Sequence, residues 1–472
     1  MDRVAAVEAN LDRVLASAVG PAELLPGDAP MALGSTLTAA GAVDLFEDMV
    51  RSRVLDVVAR EMKAAGTGFY TISSAGHELN AMIGAATRHT DPALLHYRSG
   101  AFVMARARRG EAADGEERDP LADTVLSLSA SSLDSLGRGR HKVWGSKRDW
   151  IIPQTSTIGS HPPKATGVAF AIDLARRVGH ELEIPSDSIV VCSFGDASAN
   201  HATTLAGINA ARYSARLGAP TPVLFVCEDN GLGISVPTPR DWIRDSHQGR
   251  HHLRYVRAEG DLATVNDTIV AAVEHVRRRR TPVFLHLPTV RLWGHAGSDV
   301  EATYRTKEDI RASEDADPVV AMARWLVNRG AASADELATL VKVTRERVRT
   351  LAEHHADAPH LSASAQVSAA LFDGSADAAE DADAAAAVEV SDADRLAAFG
   401  GSLPEGATQP GRRTMAAHLN ATLTDIMLRR PETLVFGEDV GRKGGVYGVT
   451  GRLQAAFGNG RVFDTLLDET TI

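Results

Sequence analysis

Between Ser188 and Ser235 the chain carries two short apolar runs, each ending in polar side chains, with one helix-length segment between them. Ile189-Val190-Val191-Cys192 is β-branched and leads into Gly195-Asp196. Such a run, bounded by turn residues, suits a strand buried on both faces of a parallel sheet. Ala202 to Leu217 is alanine-rich with apolar positions at helical spacing, and Gly218-Ala219-Pro220 closes it. Val223 to Cys227 reads as a second strand, ending in Glu228-Asp229-Asn230-Gly231. This strand–helix–strand unit predicts an α/β fold, a parallel sheet flanked by helices. Ligands of open α/β sheets bind at the carboxyl ends of the strands, where these polar residues fall.

The chemistry available there follows from the side chains. Asp196 offers a carboxylate oxygen, Asn230 an amide oxygen, and the loop after Asn230 backbone carbonyls. An all-oxygen set of this kind suits Mg²⁺ shared with phosphate oxygens. Gly195 would let backbone approach a ligand closely, and a following helix amino terminus favours phosphate. One Gly-Asp pair is more often a turn than a metal site. Two such pieces at adjacent strand ends point much more strongly to a ligand.

The stretch resembles the thiamine diphosphate motif, Gly-Asp-Gly followed some thirty residues later by Asn-Asn. More narrowly, it is similar to the α subunit of the decarboxylating component of 2-oxo acid dehydrogenase complexes. The resemblance implies a thiamine diphosphate-binding fold, with the cofactor beside Gly195, Asp196 and Ala197. It implies Mg²⁺ on Asp196, the Asn230 side chain and the Leu232 carbonyl. Two positions depart from the motif: Ala197 replaces its third glycine, and Asp229 its first asparagine. Ala197 narrows the turn but leaves Asp196 in place, and Asp229 would weaken diphosphate binding only if its charge pointed inward; both read as tolerated variants.

Five further segments match that α subunit in order. Phe69-Tyr70, Ser74-Ala75-Gly76-His77-Glu78 and His96-Tyr97-Arg98 come first. The resemblance gives Tyr97 and Arg98 the diphosphate, a role suited to a phenol and a forked guanidinium. It places Phe69 and Tyr70 at the acyl pocket, although aromatics in such positions are more often plain core. Ser156 and Ile158, within Thr155–Gly159, would hold the aminopyrimidine and bend the cofactor. In Arg291 to Arg305, His295 takes the place of the catalytic histidine, an imidazole able to donate to a substrate oxygen near pH 7. Ala296 stands where animal members carry a serine regulated by phosphorylation, so that switch should be absent. For His161 a structural and a substrate-facing role are both open.

Residues 1–40 read as a helical arm, with a helix from Arg3 to Val19, and 41–355 as the diphosphate- and metal-binding domain. Residues 356–412, rich in Ala, Asp and Ser, read as a linker with one short helix. The Arg277–Arg280 run at the end of a helix is expected to be a solvated face rather than a docking site. From Met415 the chain resembles the opening of the β subunit of the same enzymes, its pyrimidine-binding domain. Gly437-Glu438-Asp439-Val440 and Val462-Phe463-Asp464-Thr465 stand in order. Glu469 occupies the place of the glutamate that hydrogen-bonds a pyrimidine ring nitrogen and so activates the cofactor. Residues 413–472 are therefore expected to be an incomplete pyrimidine-binding domain, and the sequence to be an α–β fusion cut short.

Composition bounds the rest. A chain of 472 residues with 44% hydrophobic content is an ordinary globular protein of about three domains. Fifty basic against 61 acidic residues argue against a nucleic-acid partner. The two cysteines, Cys192 and Cys227, fall in expected buried strands and read as core thiols of a reducing compartment. With no long apolar span and no signal-peptide core, a cytoplasmic location is expected. The resemblance implies oxidative decarboxylation of a 2-oxo acid, with branched-chain acids first and pyruvate or acetoin as alternatives. The acyl group would pass to a lipoyl-bearing acyltransferase, and Glu469 would come from a different copy in a homo-oligomeric or α2β2-like assembly. A catalytically inactive remnant is the rival reading. A transketolase-like enzyme is disfavoured by the order of the motifs.

Overall fold

In a computed structural model of the chain, which describes residues 3–371, 387–404 and 413–466, the apolar runs after Ser188 form the middle of a sheet. Its strands are β1 (Ala93–Leu94), β2 (Val190–Gly195), β3 (Val223–Asp229), β4 (Arg254–Arg257) and β5 (Val283–Pro288). All pair in parallel, in the order β1-β2-β3-β5-β4. Every residue of β2 is buried, and so are the first six of β3, as expected of strands covered on both faces. Register sets Gly195 beside Glu228 and Asp229 beside Pro288, so three strands end at one level. The polar residues that follow these ends are thereby gathered. Cys192 and Cys227 are free and fully buried within the strands.

The longer helices include α1 (Arg3–Ser17), α2 (Ala39–Ala65), α3 (His161–Arg177), α4 (Ala202–Arg216) and α5 (Leu262–Arg279). By its contacts the chain forms two units. One takes in residues up to Phe170 with Asp187–Ser362, the other Ala171–Ser186 with residues from Ala363 onward.

In the first unit one core runs from α1 through α2 to the sheet and α5, joining Leu11, Phe46, Met49, Val191, Val226 and Ile269. Residues of the amino-terminal arm thus pack on their own chain. Thr38 caps α2 by accepting from the Gly41 N–H, and Gly66, at φ +78°, ends it. Buried Arg53 of α2 binds Glu78 at 2.7 Å and Asp317 at 2.8 and 2.9 Å. Glu78 in turn accepts from the Gly76 N–H at 2.7 Å. Gly76, at φ +99°, is required: a Cβ there would lie 2.1 Å from the Val290 carbonyl. The close approach lets Val290 and Leu292 hydrogen-bond to Gly76 and Ala75, which fixes the chain leading to His295. The arginine run at the end of α5 is not simply a solvated face. Arg277 pairs with buried Asp91 at 2.6 Å, and Arg280 donates to the Asp187 and Ser188 carbonyls.

In the second unit, helix α6 (Met415–Arg429) and strands β6 (Val435–Gly437) and β7 (Val462–Asp464) share a small core of Met427, Leu453 and Val462. The two strands pair in parallel, with Phe436 and Phe463 stacked at 5.6 Å. The second unit also has short helices over Ser364–Ser368 and Asp392–Ala398. Glu469 lies outside the described residues. Among the described residues, no helix is long and apolar enough to cross a membrane.

Candidate active site

Ten of the eleven residues singled out from the sequence as catalytic or ligand-binding border one cavity of about 660 Å³ in the first unit, within the usual range of roughly 300–1,000 Å³ for small-molecule sites. Tyr97 and Arg98 reach it from the turn after β1, and Ser156 and Ile158 from the segment before α3. Gly195 ends β2, Asp196 and Ala197 open the short helix that follows it, Asn230 and Leu232 follow β3, and His295 lies in the loop after β5. Segments up to 200 residues apart in sequence meet because parallel strands place all their carboxyl ends on one side.

The electrostatics of this cavity favour an anion. Arg98 is 1% exposed, yet among the described residues its guanidinium donates only to neutral acceptors: the Ser73 carbonyl, the His295 carbonyl at 2.9 Å and His295 Nδ1 at 3.3 Å. Burial, the largest influence, holds its pKa below the usual arginine value. A buried cation lacking a carboxylate is unfavourable until an anion arrives. Arg291, 3% exposed, also borders the cavity and donates to the Ile234 carbonyl and to Tyr304 Oη, each at 2.6 Å. Sequence reasoning gave Arg291 no role; its one signal was its place four residues before His295. His96 was likewise passed over. Its Nδ1 accepts from the Arg98 N–H at 3.0 Å, so a neutral ring carries its proton on Nε2, at the cavity wall.

Asp196 is 2% exposed, and its Oδ2 accepts from Thr238 Oγ1 at 2.6 Å. Burial raises its pKa, an effect a bound cation would reverse. Among the described residues no three His, Cys, Asp or Glu side chains form a metal cluster. One carboxylate with an amide and a backbone carbonyl instead fits Mg²⁺ that takes its other ligands from phosphate and water.

Neighbouring residues set what three positions of this loop do. Gly195 has φ −94°, open to any residue, and an added Cβ would meet His96 Nε2 at 3.4 Å and Ile158 Cδ1 at 3.7 Å. Its contribution is therefore space on the cavity wall, not a special turn. Ala197 is accommodated because position 233 is glycine, where a Cβ would lie 2.8 Å from that of Ala197. Asp229 does not direct its charge at the cavity: Oδ2 pairs with buried His286 at 2.8 Å, and Oδ1 accepts from the Gly231 N–H. His286 Nδ1 in turn lies 2.7 Å from Tyr255 Oη. Asp229→Asn, which restores the common motif, should therefore leave thiamine diphosphate affinity within about threefold and lower the melting temperature. A tenfold gain in affinity by calorimetry would refute this placement.

His295 also differs from expectation. Its Nδ1 accepts from Arg98, so the proton resides on Nε2. Burial first, then Arg98 and Arg291, push its pKa down to about 4. It is a neutral donor at pH 7 rather than a group titrating there. His161 is fully buried, with Nε2 3.3 Å from the Thr155 carbonyl, and it does not border the cavity; the structural role applies. Phe69 is 63% exposed, and neither Phe69 nor Tyr70 borders the cavity.

Residues 47–364 match the model of a family described as dehydrogenase E1 component. The chain belongs to that family. This E1 chain is 25% identical over 333 residues to the 2-oxoisovalerate dehydrogenase subunit alpha of Bacillus subtilis (strain 168), covering 69% of this chain and 93% of that one. It is 24% identical over 293 residues to the mitochondrial 2-oxoisovalerate dehydrogenase subunit alpha of Mus musculus, where it spans 60% of the relative's length. It is 23% identical over 322 residues to the mitochondrial pyruvate dehydrogenase E1 component subunit alpha of Dictyostelium discoideum, covering 67% of this chain and 78% of that one. The matched residues include every strand and loop that builds the cavity.

Proposed function

We propose that this E1 chain binds thiamine diphosphate and Mg²⁺ in the 660 Å³ cavity and decarboxylates a 2-oxo acid there, a branched-chain acid first. The observation that carries the reading is Arg98, a buried guanidinium without a carboxylate, in the same cavity as the Asp196, Asn230 and Leu232 oxygens. A diphosphate–metal pair satisfies both halves at once. Arg98 and Tyr97 bind the diphosphate. Asp196, Asn230 and the Leu232 carbonyl hold the cation, and Ser156 and Ile158 seat the pyrimidine. When bound, thiamine diphosphate would supply the nucleophilic carbon and the electron sink that decarboxylation of a 2-oxo acid needs. His295 donates from Nε2 to the substrate oxygen on which charge develops.

Two of the relatives named above act on 2-oxoisovalerate, which favours a branched-chain substrate; the Dictyostelium relative keeps pyruvate as the alternative. The rest of the proposal is that acyl groups pass to a lipoyl-bearing acyltransferase, in the cytoplasm, within an oligomer. Residues 413–472 would serve as the beginning of a pyrimidine-binding domain, with Glu469 reaching the cofactor of another copy. The test is CO₂ release from a branched-chain 2-oxo acid and from pyruvate, with an artificial electron acceptor, Mg²⁺ and thiamine diphosphate. Glu469→Gln should abolish release while leaving Mg²⁺-dependent cofactor binding intact. Cofactor binding without turnover in the unaltered chain would instead mark a binding-only protein.

A further inference from the structure

We infer that His77 is a positioning residue that sets which end of the Asn230 amide faces the metal; the inference rests on the cation site proposed above. His77 and Glu228 are fully buried, with His77 Nδ1 2.8 Å from Glu228 Oε2. A carboxylate only accepts, so Nδ1 carries the proton, and Nε2 faces the Asn230 amide nitrogen, a donor, which makes Nε2 the acceptor. Asn230 Nδ2 lies 3.1 Å from that Nε2 and donates to it. Oδ1 of the same amide accepts from the Leu232 N–H at 3.1 Å, at the cavity. Both ends of the amide are thereby assigned.

An asparagine amide flipped by 180° exchanges a ligand oxygen for a donor nitrogen, which a cation repels. The flipped form here would set the Asn230 oxygen against the His77 acceptor and its nitrogen against the Leu232 N–H. Glu228 excludes the ring tautomer that would tolerate this. Glu228 is itself held by Asn80, whose Nδ2 lies 3.2 Å from Oε2 and whose Oδ1 accepts from the Phe102 N–H. The relay Asn80–Glu228–His77–Asn230 therefore runs from buried structure to the metal ligand. Groups that orient a metal ligand typically change metal affinity by about 10–100-fold when removed.

The experiment measures the half-saturating Mg²⁺ concentration for thiamine diphosphate binding, by calorimetry on the full chain, beside the melting temperature without cofactor. His77→Leu should raise the Mg²⁺ requirement by about 10–100-fold. His77→Gln, which restores an acceptor, should recover part of it. If His77→Leu does not fold, His77→Leu with Glu228→Gln removes the buried unpaired charge and reads the same comparison. A Mg²⁺ requirement unchanged from the unaltered chain, with only the melting temperature lowered, would overturn the inference and leave the cation site standing. No Mg²⁺-dependent binding by the unaltered chain would overturn both.

Discussion

Replacing Arg98 with methionine should remove cofactor binding while leaving the empty protein about as stable as before. Among the described residues this buried guanidinium donates to two backbone carbonyls and one imidazole nitrogen and to no carboxylate. Its lowered pKa records the unfavourable burial. Methionine keeps the bulk and removes the charge, so the lost hydrogen bonds are offset by relief of desolvation. A bound diphosphate loses a charge-assisted, forked contact for which removal of a buried partner costs about 2–5 kcal/mol. Thiamine diphosphate affinity should then fall by at least about 30-fold. Arg98→Lys should not restore it, since an ammonium lacks the fork. Calorimetry and thermal melts with and without cofactor decide the matter. An Arg98→Met chain still stabilised by thiamine diphosphate and Mg²⁺ would exclude Arg98 from the diphosphate site.

The second large effect is on turnover. His295→Ala should lower kcat by about 10²–10⁴-fold, the usual contribution of a well-placed proton donor, with thiamine diphosphate affinity little changed. His295→Gln, which retains an N–H donor, should keep more activity than alanine. The pH profile separates the roles. Because burial and two guanidiniums push this pKa down to about 4, His295 stays neutral from about pH 5 upward. The rate should show no inflection between pH 6 and 7 that disappears in His295→Gln; finding one would refute the neutral-donor role. The sign for stability follows. A folded-state pKa below the unfolded value of about 6.5 means that the unfolded chain binds the extra proton. This contribution is whole above pH 6.5 and lost as pH falls toward 4. His161 and His247, also pushed down to about 4 by burial, act in the same direction.

The parallel sheet and the oxygen-bearing side chains at its strand ends were legible because each is encoded locally. Ile189–Cys192 and Val223–Cys227 are short apolar runs whose burial needs no partner to be foreseen. Asp196 and Asn230 directly follow such runs, so their placement at a strand end follows from the chain itself. Tyr97, Ser156 and His295 were read from resemblance. No local pattern of charge or spacing sets those segments apart from surface loops.

What the sequence determined by itself is the order of the elements and the chemical types at the strand ends. Only the tertiary structure decided which of those groups are paired and which are free to act. Asp229 was read as a tolerated variant provided its charge did not point at the cofactor; its pairing with His286, on a strand more than 50 residues away, is what directs that charge elsewhere. His295 was read as titrating near neutrality; Arg98, about 200 residues earlier, takes its Nδ1 and depresses its pKa. His77, Arg291 and His96 drew no assignment because their roles arise from partners distant in sequence. Burial and hydrogen-bond partnership are properties of the packed neighbourhood, and in a parallel α/β sheet that neighbourhood is assembled from segments far apart along the chain.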